Sequence, residues 1–325
     1  MKGPAKCEDP VIVFGGDGED RIDPKDVEII WPGYDDGYDN YGYVTINNFD
    51  PIPEIPEQSY GSFWYHSAVL VDKNLILSCG GGFPATKKCF GLDLVSGTWR
   101  SMAPMTVARN DHTLVNVNNG IIAIGGASPE EPLIEIYNRD FDIWTAMPQW
   151  TGPFSSISGH CAVAINDHQV MIIGYTFNTS IIFNLQTGEW SNTAPITNPR
   201  YAHACVLTAI GGISGVLVTG GKDFHTDPSD YYPASQTDFY QIESNSWISL
   251  ENTSFPVEEH QMVIYEGKPT IIGGEYELFL RDVEIDGRHM RDHVQIYQEE
   301  SDHWFCCVPK LNYKRSKFSA VKVPL

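Results

Sequence analysis

The sequence predicts an all-β fold, a six-bladed β-propeller of four-stranded antiparallel blades, and three observations predict it. First, Trp99, Trp144, Trp190, Trp247 and Trp304 each follow an apolar or aromatic residue by seven positions: Leu92, Tyr137, Phe183, Tyr240 and Tyr297. Second, apolar runs end on Gly80-Gly81, Gly125-Gly126, Gly220-Gly221 and Gly273-Gly274, with Gly174 before Tyr175 as the incomplete member. Third, His66, His112, His160, His203 and His260 open the units at spacings of 46, 48, 43 and 57 residues, and Phe318 follows 58 residues later. Such a period suits one four-stranded antiparallel unit with a variable loop.

The elements of one unit can be read in order. Thr113–Val117 and residues 121–124 are β-rich runs separated by Asn118-Asn119-Gly120, a turn sequence. Residues 134–137 form a third run and the segment around Trp144 a fourth. No stretch sustains a 3.6-residue period, so helices are not expected. A Gly doublet lets the chain leave a strand at positive φ and lets a neighbour approach closely. The Trp supplies apolar area for packing on the next sheet.

The two ends of the chain complete the count. Val11-Ile12-Val13-Phe14 runs into Gly15-Gly16 and reads as a second strand with no first; Val27–Ile30 is the third. Arg315 precedes Phe318 as Arg109 precedes His112 and Arg200 precedes His203, so residues 319–323 read as a first strand with nothing after it. The C-terminal strand should join three N-terminal strands in one blade, which removes the open sheet edge. One domain, 1–325, is expected, with blades near 62–108, 109–156, 157–199, 200–256, 257–314, and 315–325 joined to 10–61.

The Gly doublet, the Tyr, the Trp seven residues on, and Ser101-Met102-Ala103-Pro104-Met105 leading to Arg109 and His112 together resemble the kelch repeat. The resemblance covers nearly the whole chain. It departs at Gly174 and in the closing blade, where a Tyr-Asp-rich insertion stands in place of the Trp. It implies a six-bladed propeller that usually binds other proteins, though fold does not fix function. Kelch-like ubiquitin-ligase adaptors carry an additional N-terminal domain that is not read in this sequence, so an adaptor role would need a separate partner. Arg109 and Arg200 occupy positions where kelch-like domains often place basic residues near the central opening. Two readings stand for them: contact with an acidic partner segment, or pairing with carboxylates or carbonyls between blades.

Composition bounds the function. The net charge is −21, which argues against nucleic acid and against anionic membrane surfaces. Residues 1–60 hold 14 Asp or Glu against 4 Lys or Arg, a solvated acidic edge or a docking patch for a basic partner. No apolar run reaches membrane-spanning length, and no signal-peptide core follows Met1.

Cys79 and Cys89 fall on corresponding positions of neighbouring antiparallel strands, so a disulfide is expected, against the alternative of two buried free thiols. Cys161 and Cys205 read as core thiols. Cys306-Cys307 is a vicinal pair pointing to opposite faces, with Cys7 as an uncommitted partner. Asn178 and Asn252 match the glycosylation acceptor pattern, which recurs by chance in an Asn-rich chain. The compartment is left open, extracellular slightly favoured over cytoplasmic.

Loops between blades and loops joining second to third strands share one face. The variable segments 51–65, 149–158, 222–237 and 275–293 fall there and carry Tyr60, Trp64, Trp150, Phe224, Tyr231 and Arg288. Any one of these rings could pack under its own loop; together they make a recognition surface, with Arg109 and Arg200 near its centre. Catalytic residues, metal ligands and cofactors are not assigned. Five His at equivalent ring positions are expected to recur for packing and hydrogen bonding, not as one metal site. Asp282, Glu284, Asp286, His289, Asp292 and His293 read as a charged hairpin loop, and the Asp-rich runs at 17–20 and 35–39 lack a calcium-loop pattern. The sequence-level reading is a non-catalytic propeller that binds a protein or peptide. The alternatives are a secreted structural or adhesive component that self-associates, and a small-molecule enzyme with its site around Arg109, Arg200 and 275–293.

Overall fold

The computed structural model describes residues 9–17, 27–30, 64–118, 120–126, 133–147, 157–174, 180–224, 231–276, 289–311 and 314–324. Blade 1 comprises Ser67–Asp72, Leu75–Cys79, Cys89–Asp93 and Thr98–Met102, paired antiparallel in sequence order. Blade 2 repeats this with Thr113–Val117, Gly120–Ile124, Ile134–Asn138 and Ile143–Ala146, and blade 3 with Cys161–Asn166, Gln169–Ile173, Ser180–Asn184 and Trp190–Asn192. Blade 4 has Ala204–Ile210, Ile213–Thr219, Thr237–Gln241 and Ser246–Leu250; blade 5 has Gln261–Tyr265, Lys268–Ile272, His293–Gln298 and His303–Lys310. In the closing blade Val11–Phe14 pairs with Val27–Ile30 on one side and with Ser319–Lys322 on the other. The fourth strand expected there lies outside the described residues. Helix is confined, among the described residues, to one 3-10 turn at Glu299–Ser301.

The six first strands touch one another in a closed cycle, so they form the wall of a central channel. The core lies between blades. Alternation along a strand sends successive side chains to opposite sheet faces, and in a ring both faces are covered. Ile12 and Phe14 pack toward blade 1 with Leu92 and Trp99, while Val11 and Val13 pack toward blade 5 with Ile272 and Phe318. This explains the uninterrupted apolar second strands. Six such clusters close the circle.

The seven-residue Tyr-to-Trp spacing builds an inter-blade lock. Tyr137 donates its hydroxyl to Asp142 Oδ1 at 2.8 Å, and the same oxygen accepts the Ala103 amide of blade 1 at 2.9 Å. Trp144 Nε1 returns a hydrogen bond to the Ala103 carbonyl at 3.1 Å. Tyr240, Asn245, Ala194 and Trp247 repeat the arrangement two interfaces further on, between blades 3 and 4. Asp142 and Asn245 sit at φ 48° and 49°, a left-handed conformation that Asp and Asn tolerate.

The His series fills inter-blade wedges. A Cβ added at Gly80 would stand 2.5 Å from His112 Cε1, and one at Gly174 2.1 Å from His203 Cε1. Each ring therefore needs a glycine in the preceding blade, and both glycines have positive φ.

Cys79 and Cys89 are directly opposed on adjacent strands and are bridged, with an S–S distance of 2.01 Å. The reading of Cys161 and Cys205 as free core thiols is corrected: they form a second bridge, at 2.11 Å, between the first strands of blades 3 and 4. Cys161 follows its His by one residue and Cys205 by two, so they point from opposite faces of their own sheets. Opposite faces are those that meet between neighbouring blades. Cys306 is also disulfide-bonded.

The channel mouth, a candidate binding site

The residues immediately before the five His and Phe318 are Tyr65, Asp111, Gly159, Ala202, Glu259 and Lys317. All six are left-handed, with φ between 52° and 60°. They ring the channel where the chain enters each first strand. The Tyr65 amide donates to the Lys317 carbonyl at 3.0 Å, Asp111 to Tyr65 at 3.0 Å, Ala202 to Gly159 at 2.8 Å, Glu259 to Ala202 at 2.9 Å and Lys317 to Glu259 at 3.2 Å. At the remaining link the Gly159 amide donates to the Asp111 carboxylate. A left-handed non-Gly residue costs about 1–2 kcal/mol. Here each such residue sits in a head-to-tail ring of inter-blade hydrogen bonds.

Inside the mouth lies a channel of about 250 Å³, walled by the ring residues, the five His, Phe318 and the first residues of the inner strands, with the Cys161–Cys205 bridge in its wall. Burial pushes His112 well below the ordinary imidazole range, and pushes His160, His203 and His260 down to about 3, with Arg109 or Arg200 adding to the effect. The imidazoles are therefore neutral. Burial and the Glu259 charge raise the Asp111 carboxyl well above the usual range. Burial raises Glu259 to about 7, opposed by Lys317. The Lys317 ammonium lies 4.8 Å from the Tyr65 ring centroid and 5.5 Å from that of Trp64.

Arg109 and Arg200 do not face this mouth. They are 2% and 1% exposed, paired with Glu135 and Asp238 in the third strands of their own blades. The reading of them as contacts for an acidic partner is corrected: burial leaves their guanidiniums no surface to offer. Arg315 pairs likewise with Glu28. The three pairs occupy alternate blades; the intervening positions hold Ile157 with Ile181 and Val257 with Gln295.

Trp64 is half-buried beside the mouth. Phe224 and Tyr231 are register partners in a small ribbon formed by Arg200–Tyr201, Lys222–Phe224 and Tyr231–Pro233. Another ribbon, Glu275–Tyr276 with His289–Met290, occupies the next insertion, so parts of the expected loops are β-structure. Tyr60, Trp150 and Arg288 lie outside the described residues, as do Asp282, Glu284 and Asp286. His289, Asp292 and His293 are described, and no group of three or more potential metal ligands occurs among the described residues.

Two features escaped sequence reasoning. The ring positions share a backbone conformation but no residue type, so no pattern marks them. Phe83 is 85% exposed, on the loop between the second and third strands of blade 1. That loop is pinned: the Gly82 amide donates to the Trp64 carbonyl at 2.9 Å, the Thr86 amide to Gly81 at 3.0 Å, and Asn110 Nδ2 to the Gly82 carbonyl at 3.0 Å. Trp64 and Asn110 immediately precede Tyr65 and Asp111, so Phe83 stands between two ring positions.

Comparison with known proteins agrees with the repeat architecture. The chain is 23% identical to Kelch-like protein 36 of Rattus norvegicus over 255 residues, 74% of this chain and 39% of that protein. It is 24% identical to Alpha-scruin of Limulus polyphemus over 283 residues, 81% of this chain and 29% of that protein. It thus spans about two fifths or less of the length of these curated relatives. The solved structure of YjhT superposes with a TM-score of 0.66 at 14% identity, covering 81% of this chain and 88% of that one. No family model matches the chain.

Proposed function

The chain belongs to the kelch-repeat β-propellers, and on that premise we propose that it is a non-catalytic protein- or peptide-binding ring whose working surface is the face carrying the channel mouth. The observation that carries this reading is the ring itself. Six equivalent positions share one backbone conformation and bear different side chains: Tyr65, Asp111, Gly159, Ala202, Glu259 and Lys317. A rigid scaffold that varies only what it displays is suited to recognition. Phe83, nearly fully exposed on a pinned loop beside it, is a pre-ordered aromatic anchor of the kind that dominates interface energetics.

Size favours a partner's side chain over a cofactor or drug-sized substrate. The channel holds about 250 Å³, below the ~300–1,000 Å³ of ordinary small-molecule pockets. The Cys79–Cys89 and Cys161–Cys205 bridges support placement in an oxidising compartment.

Capture experiments with paired variants test this. Phe83→Ala and Tyr65→Ala alter the mouth face. Val95→Ser and Phe141→Ser alter turns between third and fourth strands at the opposite end, where both residues are more than 70% exposed. The reading expects the first pair to lose the captured partner and the second pair to retain it. The reverse pattern sinks it.

A further inference from the structure

Of the two acceptor patterns in the chain, Asn178-Thr179-Ser180 and Asn252-Thr253-Ser254, the structure singles out the second. Asn252 follows the outermost strand of blade 4, Ser246–Leu250, on the rim beside blade 5. The turn is pinned there: the Glu251 amide donates to Asp302 Oδ1 at 3.0 Å, the Ser254 amide to Gln295 Oε1 at 2.9 Å, and the Ser254 hydroxyl to the Trp304 carbonyl at 2.7 Å. Asn252 itself is exposed, and its side chain has no hydrogen bond among the described residues. Pro104, Pro195 and Pro309 follow their Trp by five residues, and Asn252 holds that place after Trp247. Pro104 and Pro195 are exposed as well. The inter-blade lock has no need of an Asn there, since Ala103 and Ala194 are held in the same way with Pro next to them.

Two further observations are independent of that pattern. Cys79–Cys89 and Cys161–Cys205 are bridged and Cys306 is disulfide-bonded. Bridges persist in oxidising compartments, and the secretory route that forms them is also the one in which Asn-X-Ser/Thr receives oligosaccharide. The second is an apolar rim. Ile248, Phe255 and Phe305 are 39%, 38% and 53% exposed. Ile248 and Phe305 each stand one residue after the blade Trp, on the outermost strands of blades 4 and 5, and Phe255 is three residues beyond Asn252. Those strands are also sheet edges. Exposed apolar side chains beside open edges favour self-association unless something covers them.

We propose that Asn252 carries an N-linked oligosaccharide that covers the apolar rim between blades 4 and 5. In the transfer, the Asn252 amide nitrogen attacks the anomeric carbon of an oligosaccharide carried on a polyprenyl diphosphate. The N–C bond forms as the C–O bond breaks, the lipid diphosphate leaves with the electron pair, and one amide proton passes to a base of the transferase. Transfer takes place on the entering chain, so the Ser254 hydroxyl serves the transferase first and the Trp304 carbonyl after folding. The glycan requires the oxidising placement that the bridges support. It leaves the mouth free at Phe83, which belongs to blade 1, on the far side of the ring from blade 4.

The test expresses the full chain behind a secretion leader in cultured animal cells. Peptide-N-glycosidase in heavy-oxygen water converts each occupied Asn to labelled Asp, and peptide mass spectrometry reads that label beside the disulfide map. Secreted copies should carry the label at Asn252, with Cys79–Cys89 and Cys161–Cys205 linked. Ser254→Ala should abolish the label and Ser254→Thr should keep it. Trimming the glycan to its first sugar under native conditions should raise the dimeric and larger fraction severalfold in analytical ultracentrifugation. Asn252→Gln, which spares the Ser254 hydrogen bonds, should self-associate likewise, and adding Ile248→Ser with Phe305→Ser should reverse it; thermal melts check that each variant folds. Linked bridges with Asn252 unlabelled, or labelled only in copies retained in the cell, overturn the site. Free thiols at the four Cys overturn the compartment on which the site depends. A labelled chain whose association does not respond to trimming overturns the covering role.

Discussion

Arg315 Nη2 lies 2.6 Å from Glu28 Oε1, joining the segment that leads into the last strand, Ser319–Lys322, to Val27–Ile30 across 287 residues of sequence. Both side chains are buried, and the guanidinium also donates to the Gly15 carbonyl at 3.2 Å. The closing blade is thus held by a strand ladder and by an ion pair out of water. Arg109–Glu135 and Arg200–Asp238 repeat the pair in alternate blades.

These pairs should be costly to break and cheap to replace. Removing one member leaves an uncompensated buried charge and costs about 3–5 kcal/mol, whereas apolar replacement of both is often neutral. Blade 3 already holds Ile157 and Ile181 at the equivalent positions. Glu135→Ile alone should therefore destabilise strongly, and Arg109→Ile with Glu135→Ile should recover most of the loss. Urea unfolding of the two variants checks this; additive losses would count against it.

Gly174→Ala should destabilise by about 3 kcal/mol, combining overpacking of ~1–3 kcal/mol with a left-handed cost of ~1–2 kcal/mol. Its added Cβ would meet His203 Cε1 at 2.1 Å, whereas Gly188→Ala, also at positive φ, meets nothing within 4 Å. The control should lose only the conformational part. Equal losses, measured by denaturant melts, would refute the wedge role of the His.

The two mapped bridges should differ in worth. Loop-closure entropy gives about 4 kcal/mol for the 44-residue separation of Cys161 and Cys205 and about 3 kcal/mol for the 10-residue separation of Cys79 and Cys89. Serine pairs at 161/205 should lower the urea midpoint more than serine pairs at 79/89. The reverse order would show that inter-blade stapling is not the larger contribution.

Stability should fall as acid is added below pH 6.5. His112, His160, His203 and His260 are depressed in the fold, three of them to about 3, so the unfolded chain takes up their protons first and stability is lost progressively from pH 6.5 toward 3. Glu259 works the other way: raised to about 7, it binds a proton in the fold that the unfolded chain releases, so it favours the fold at low pH and loses that contribution as pH rises from 4.5 to 7. Four groups oppose this one and Asp111. Glu259→Gln should steepen the acid loss between pH 7 and 4.5. Melting temperatures across that range decide; an unchanged slope would mean Glu259 is not held protonated.

Much of the fold was legible because its repeated parts obey one constraint at every interface. The Trp, Tyr, Gly and His series recur since each blade meets its neighbour through the same lock and wedge, and the ends reveal themselves as missing strands. The site was less legible for the opposite reason. Tyr65, Asp111, Ala202, Glu259 and Lys317 share a conformation imposed by the ring, and that conformation leaves no mark on residue type. Arg109 and Arg200 drew attention because kelch-like domains often place basic residues near the central opening; their partners Glu135 and Asp238 lie 26 and 38 residues on, beyond any local pattern. Cys161 and Cys205 misled through their unequal offsets from His, which place them on the two faces that meet between blades.

The most direct measurement is photo-crosslinking with benzoylphenylalanine placed at Phe83 and, separately, at Val95 on the opposite end. The account predicts partner adducts from position 83 and none from position 95. Adducts from position 95 alone, or equally from both, would contradict it.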